Sequence, residues 1–217
     1  MIKILIVGAT QPEISPTLKY VLDVSKNETE ELENLEVSFI LTGVGMVNTA
    51  FTLGKLHANK FDVVINAGVA GSFLNHKQGT VLNITEDCFS DLGAEDGEDF
   101  ITIDEMGLGN QHVKIAYPFK NSIIDKLELA KGITVNTVHG NEKSIEQIVA
   151  YLNPDVESME GAAFIQAANA LKWTAVQIRA ISNQVEKRNK NNWQMPLAIK
   201  NLNDFLIDLL NDLNKTI

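Results

Sequence analysis

The sequence predicts an α/β fold: a single layered domain over residues 1–217, with a central mixed, largely parallel β-sheet flanked by helices. Three observations predict it. Short β-branched runs recur along the chain, stretches of helical apolar spacing fall between them, and no Pro/Gly/Ser-rich linker or repeat divides the 217 residues. With 45% hydrophobic residues the chain can bury a large core, and 21% charge argues against disorder.

Taken in order, "IKILIV" (2–7), closed by Gly8, lacks apolar/polar alternation and reads as a strand buried on both faces. "GATQPEISP" follows as a loop held by Pro12 and Pro16. The acidic stretch 27–36, "NETEELENLE", has no apolar face and reads as a solvated connection. Further strands are expected at 36–43, 62–68, 80–85, 133–138 and 174–182. Apolar residues at helical spacing predict helices over 46–59, 121–131, 143–152 and 160–171. Leu202, Phe205, Leu206, Leu209, Leu210 and Leu213 predict one more at the C-terminus. Residues 90–111 break the rhythm with five acids between 91 and 99 and four glycines, as a long surface or functional loop would.

Composition removes several function classes. A net charge of −10 disfavours a nucleic-acid partner, because phosphate backbones are bound by clustered Lys and Arg. The longest apolar runs fall short of the roughly 20 residues that span a bilayer. With no basic-then-apolar start resembling a signal peptide, a cytoplasmic protein without a membrane partner is expected. Cys88 is the single cysteine, so no internal disulfide can form, and a packed thiol is expected rather than a nucleophile. His57, His76, His112 and His139 form no i, i+4 pair, so no metal site is expected.

In layered α/β sheets a site forms beyond the carboxyl ends of the strands. That singles out "GATQPE", "TGVG", "AGVAGS" and "SNQVEKR". "TGVGMVN" has two glycines of a dinucleotide fingerprint but Asn48 where the third belongs, and no acid ends the next strand to hold a ribose. No cofactor is expected. Arg179 lies within the strand run "VQIRAIS", where a buried cation needs a partner: a structural ion pair, a site carboxylate or a bound anion. Glu160, within "VESMEGAAF", has two readings. It could open a helix capped by Ser158, gaining roughly 0.3–1 kcal/mol from the helix dipole. Alternatively the small Gly161, Ala162 and Ala163 leave room above it for a ligand.

Together these loops resemble the nucleoside phosphorylase and nucleosidase superfamily, in order and over nearly the whole chain. "GATQPE" is similar to the nucleosidases' first loop, which places a catalytic glutamate at Glu13. "NAGVAGS" resembles their third-strand substrate-binding turn, here Val69, Ala70 and Gly71, with Val69 replacing a hydroxyl residue. "VESMEGAAF" is similar to the Met-Glu signature, implying that Met159 and Glu160 contact the ribose. "IRAISN" resembles the Arg-Ala-Ile-Ser-Asp segment of adenine-releasing members, implying that Ser182 helps bind the substrate. The resemblance implies a nucleoside phosphorylase-like fold, a homo-oligomer (dimer or higher), and a small-molecule nucleoside as partner. It also implies cleavage through a ribosyl cation that carboxylates stabilise. Glu13 would activate water, Glu160 would accept hydrogen bonds from the ribose hydroxyls, and Arg179 would fix the water and the carboxylates.

Two departures refine the expectation. The chain has only two arginines, Arg179 and Arg188, and neither lies in the glycine loops where phosphorylases commonly hold phosphate, which favours hydrolysis. Asn183 stands where adenine-releasing members have an Asp. Its amide can donate to a 6-oxo group and accept from a protonated N7, which suits hypoxanthine or guanine, but it supplies no proton. Water or another donor must therefore protonate the leaving base. "SNQVEKR" and "DLGAEDG" resemble the futalosine hydrolase branch, whose substrate carries a carboxylated aromatic ketone at its 5′ end. Arg188 is the candidate cation for that carboxylate. The rivals are a methylthioadenosine or adenosylhomocysteine nucleosidase, a purine nucleoside phosphorylase, and a nucleoside-binding protein without catalysis.

Overall fold

The computed structural model of the chain describes residues 1–26, 32–97 and 99–215. Its frame is the strand β1 (Ile2–Gly8), whose alternate side chains serve two layers. Ile4 and Ile6 pack with α1 (Gln11–Lys26) and α5 (Met195–Lys215) on one face. Leu5 and Val7 face the opposite core, built with α2 (Met46–Gly54) and α4 (Gly161–Ala170). A strand buried on both faces has no polar side, which is why its sequence shows no alternation. The α/β reading and the mixed sheet are what the structure shows.

β1 pairs in parallel with β2 (Leu35–Leu41) and β3 (Val63–Ser72), and β3 in parallel with β10 (Ala175–Gln184). β10 then runs antiparallel to β4 (Val81–Cys88), which is parallel to β8 (Glu128–Thr134). β9 (Val156–Ser158) is parallel to β8 and returns antiparallel to the end of β3. Five strands, β3, β10, β4, β8 and β9, thus close on themselves, and the site lies at that closure.

Four expectations need correction. Residues 121–131 are not a helix: a short 3-10 turn at Ile124–Lys126 leads into β8, so the strand expected at 133–138 begins earlier and ends at Thr134, with 135–138 outside it. Insertion between β4 and β9 there overrides the apolar spacing. "QPE" opens the first turn of α1 rather than lying in a loop. The 90–111 segment carries a hairpin, β5 (Gly93–Asp96) with β6 (Asp99–Thr102), followed by β7 (His112–Lys114) on the edge of β4. Of the acidic connection, residues 27–31 lie outside the described residues, and its end, Leu35 and Glu36, opens β2. α3 (Glu142–Leu152) lies where helical spacing predicts it, with Asn141 capping its first turn.

Cys88 is buried, and burial pushes its thiol up to about 12, so it is a packing residue rather than a nucleophile. Among the described residues, no helix is long and apolar enough to cross a membrane.

Candidate active site

A cavity of about 270 Å³ opens at the carboxyl ends of β1, β3 and β10. Its charged lining is Glu13, Glu157 and Glu160, and Met159, Val69, Ala70, Gly71, Ser182 and Asn183 complete its working surface.

Glu13 is placed by the glutamate half of a capping box, while its own N–H bonds Thr10 O at 3.3 Å. Thr10 precedes α1, and its backbone N–H and hydroxyl both donate to Glu13 Oε2, at 2.8 and 2.7 Å. Oε1 accepts from the Val69 N–H at 3.2 Å, tying the first helix turn to β3. A carboxylate so bracketed has little rotational freedom left to lose when substrate binds.

Glu160 is the N-cap residue of α4, yet its side chain makes no bond to its own helix. The α4 N–H groups are served elsewhere: Gly161 donates to Ser158 Oγ at 3.2 Å and Ala162 to Thr134 Oγ1 at 2.7 Å. Glu160 Oε1 instead accepts the Gly45 N–H at 2.9 Å, at the N-terminus of α2. Gly45 has φ +96°, which explains a glycine there: a bulkier residue would be strained in the turn that aims its N–H at the carboxylate. As the helix-cap reading expects, Glu160 opens α4 and Ser158 Oγ accepts an N–H of its first turn, but the Glu160 carboxylate caps no N–H of α4 and lines the cavity instead. Burial raises the Glu160 pKa, and Arg179 and the Gly45 N–H pull it back.

The small residues after Glu160 do a different job from the one expected. Gly161, Ala162 and Ala163 are buried and do not line the cavity. A Cβ at Gly161 would collide with Asp87 Oδ2, so its missing side chain admits a buried acid from within the protein, not a ligand from outside. Asp87 accepts from Gln177, Thr134 and the Cys88 N–H, and burial raises its carboxyl to about 6.

Arg179 is fully buried and, among the described residues, makes no direct ion pair, contrary to expectation. Its Nη1 donates to Ile178 O at 3.1 Å and to Asn66 O at 3.4 Å, while Nε lacks a partner. Burial lowers its pKa; Glu160, Glu13 and Asp87 raise it again, in that order. Register explains the placement: Arg179 pairs with Gly68, and a Cβ at Gly68 would stand 2.9 Å from Glu13 Oε1 and 3.3 Å from Arg179 Nη1. The cation therefore sits behind a bare stretch of β3, shared electrostatically by three carboxylates.

Ser182 is the residue bulged out where β10 slips against β3, between Ile181 and Asn183. Its Oγ lies 2.8 Å from Asn183 Oδ1, and Asn183 Nδ2 donates to Gln184 O at 2.8 Å, which fixes the amide's orientation. Arg188 is not brought to the cavity. It is exposed, with its guanidinium 5.4 Å from the ring centre of Trp193, and only Trp193 lines the cavity.

The family model of the phosphorylase superfamily matches residues 3–211. The chain belongs to that superfamily. Curated relatives within it include a futalosine hydrolase of Thermus thermophilus, 26% identical over 172 residues that cover 76% of each chain. Another is a futalosine hydrolase of Acidothermus cellulolyticus, 27% identical over 75% of this chain and 70% of that one. Among solved structures, a futalosine hydrolase of Helicobacter pylori superposes with TM-score 0.77 at 16% identity, covering 97% of each chain. A methylthioadenosine nucleosidase variant from the same organism, solved with 5′-methylthioadenosine in its active site, gives TM-score 0.77 at 17% identity, over 97% and 99%. At such identities the superpositions establish the superfamily fold.

Two cavity residues escaped the sequence reading. His139 and Glu157 form a pair, Nδ1 to Oε2 2.7 Å, with Glu157 buried. Glu157 stands three residues before Glu160 in a stretch already singled out. The missing signal was strand register, since β9 is only three residues long. For Glu13 a local signal did exist, because Thr-x-x-Glu marks a helix start.

Proposed function

We propose that the protein is a nucleosidase, one domain over 1–217, that hydrolyses the N-ribosidic bond of a 6-oxopurine nucleoside, with futalosine as its substrate and hypoxanthine as the released base. The observation that carries this reading is the pairing of Glu13 and Glu160 in one cavity, each fixed by a backbone N–H, with Arg179 buried behind them.

Glu160 accepts hydrogen bonds from the ribose hydroxyls and, with Met159 against the sugar, holds the ring as positive charge develops. Glu13 takes the proton of the attacking water. Arg179 limits the repulsion between the two carboxylates, which would otherwise favour protonating one of them. Water rather than phosphate attacks, because an incoming dianion would meet three lining carboxylates. Asn183 presents a fixed amide to the base, matching a 6-oxo group and N7. Arg188, at the rim over Trp193, remains the candidate cation for a 5′ carboxylate. Futalosine hydrolases among the relatives support the substrate assignment. Val47 and Phe51 expose apolar side chains on α2, next to the turn that holds Glu160, and a second copy of the chain covering them is part of this proposal.

The test is incubation with futalosine, inosine and 5′-methylthioadenosine, with and without phosphate, followed by chromatographic identification of the released base. Hypoxanthine from futalosine without phosphate is the expected result. Faster release of adenine from methylthioadenosine would replace the substrate assignment, and a requirement for phosphate would replace hydrolysis.

A further inference from the structure

A departing purine needs a proton, and the Asn183 amide has none to give. The register of three strands brings another group beside it. Gly71 pairs with Asn183 of β10 on one side and with Glu157 of β9 on the other. A Cβ at Gly71 would stand 2.9 Å from Val185 Cγ2, 3.2 Å from Asn183 Nδ2 and 3.5 Å from Glu157 Cγ, so these side chains rise from one face of the sheet and converge over the glycine.

Glu157 is committed to a single residue. The His139 backbone N–H lies 3.2 and 3.3 Å from its two oxygens, and His139 Nδ1 lies 2.7 Å from Oε2. The Phe73 ring meets the imidazole near edge-on, with centroids 6.1 Å apart. With Nδ1–H held by a buried carboxylate, the ring's other nitrogen, Nε2, is the one left for chemistry. Among the described residues it has no hydrogen-bond partner. His139, Glu157 and Asn183 all line the same cavity. A carboxylate behind an imidazole fixes its tautomer and its orientation, which is what a positioned proton donor requires. Glu13 and Glu160 lie across the same cavity, and Arg188, whose backbone N–H bonds Gly140 O, is the cation on the other side of His139.

We propose that His139, oriented by Glu157, is the general acid that protonates the leaving purine; this rests on the nucleosidase reading above. As the ribosidic C–N bond breaks, its electron pair passes to the base, and the proton on His139 Nε2 goes to a base nitrogen. The water oxygen bonds to the anomeric carbon, and its proton goes to Glu13. His139 is left neutral and regains its proton from solvent. Glu157 touches no reacting atom and is a positioning residue.

The experiment compares wild type, His139→Gln, His139→Asn, Glu157→Gln and the double variant on two substrates. One is inosine, and the other is p-nitrophenyl β-D-ribofuranoside, whose leaving group departs without protonation. Thermal melts first identify the variants that fold. Loss of the acid is expected to lower kcat/KM on inosine by roughly 100-fold, with a loss on the aryl riboside at least about tenfold smaller. Glu157→Gln should show the same substrate bias, and the double variant should lose no more than the His139 variant alone. Equal losses on the two substrates, or a loss on inosine below about threefold, would overturn the assignment of His139. A wild-type protein that cleaves neither riboside nor futalosine overturns the nucleosidase reading and this proposal with it; one that cleaves futalosine but not inosine takes futalosine as the purine substrate of the same comparison.

Discussion

The two ends of the cavity are built by different means. The end holding Glu13 and Glu160 is assembled from helix starts. Bonds from the Thr10 N–H and hydroxyl fix Glu13, the N-cap position of α4 carries Glu160, and the Gly45 N–H at the start of α2 receives it. The end around Gly71 is assembled from strand register, with Asn183 and Glu157 drawn together across a glycine from positions far apart in the chain. Helix starts concentrate unpaired N–H groups and so hold negative charge well. A sheet row sets polar groups at fixed spacing, which suits reading the edge of a planar ligand. In the proposed reading the first end holds the ribosyl cation and the second reads and protonates the base, so substitutions at each end should have different signatures.

The largest effect is expected at the helix-built end. Glu160→Gln keeps the shape and the bond from Gly45 but removes the charge facing the sugar, so kcat should fall by roughly 100- to 1000-fold while the melting temperature stays close to wild type. Steady-state kinetics on the best nucleoside, with a thermal melt of the same sample, measure both. Near-normal turnover would make Glu160 a helix-start carboxylate without catalytic weight.

At the register-built end the expected signature is selectivity. Asn183→Asp exchanges an amide for a potential acid and acceptor, so the ratio of 6-oxopurine to 6-aminopurine cleavage should shift toward the amino substrate by roughly one to two decades. An unchanged ratio of futalosine to methylthioadenosine cleavage would leave Asn183 without a reading role. Gly71→Ala tests the close approach of Asn183 to this glycine. The new methyl would stand 2.9 Å from Val185 Cγ2 and 3.2 Å from Asn183 Nδ2. KM should rise by roughly tenfold with kcat moving less, as expected when ground-state binding is obstructed. An equal fall in kcat would place Gly71 under the reacting atoms instead.

The contrast also explains what could be read in advance. The strand runs, the alternation with helices and the short motifs around Glu13, Met159 and Glu160 are local, and each carries its signal within a few residues. Helix α1 was legible in principle from Thr10 and Glu13 but was obscured by Pro12 and Pro16, which suggested a loop. Nothing local distinguishes β8 from a helix, because its state is decided by β4 and β9 on either side. His139 and Glu157 are invisible for the same reason, since no spacing along the chain announces that Gly71 lies between Glu157 and Asn183. The space left by Gly161 could be seen but not assigned, because the group that fills it, Asp87, comes from a distant strand.

Asp87 offers the finest test of the separation, because it supports one end only. Its Oδ1 accepts from Thr134 Oγ1, which in turn accepts the Ala162 N–H at the start of α4. No comparable link to Gly71 exists among the described residues. The folded protein holds the Asp87 proton up to about pH 6, whereas the group's ordinary value is 3.8. Between those values the folded state binds more protons than the unfolded one, so this group's contribution to stability is greatest below 3.8 and is lost as pH rises through about 6. From pH 5 to pH 7 the loss is about 1 kcal/mol. Asp87→Asn should flatten that part of the stability curve, measured by denaturant melts at the two pH values. The substitution can be accommodated because Gln177 Oε1 has no partner, so its amide can turn over to accept from the new Asn. If the two ends are independent, Asp87→Asn should lower kcat modestly through Glu160 and leave the ratio of oxo to amino substrates where it was. A changed ratio would mean that the buried acid reaches both ends through Gln177 and β10, and the separation would fail.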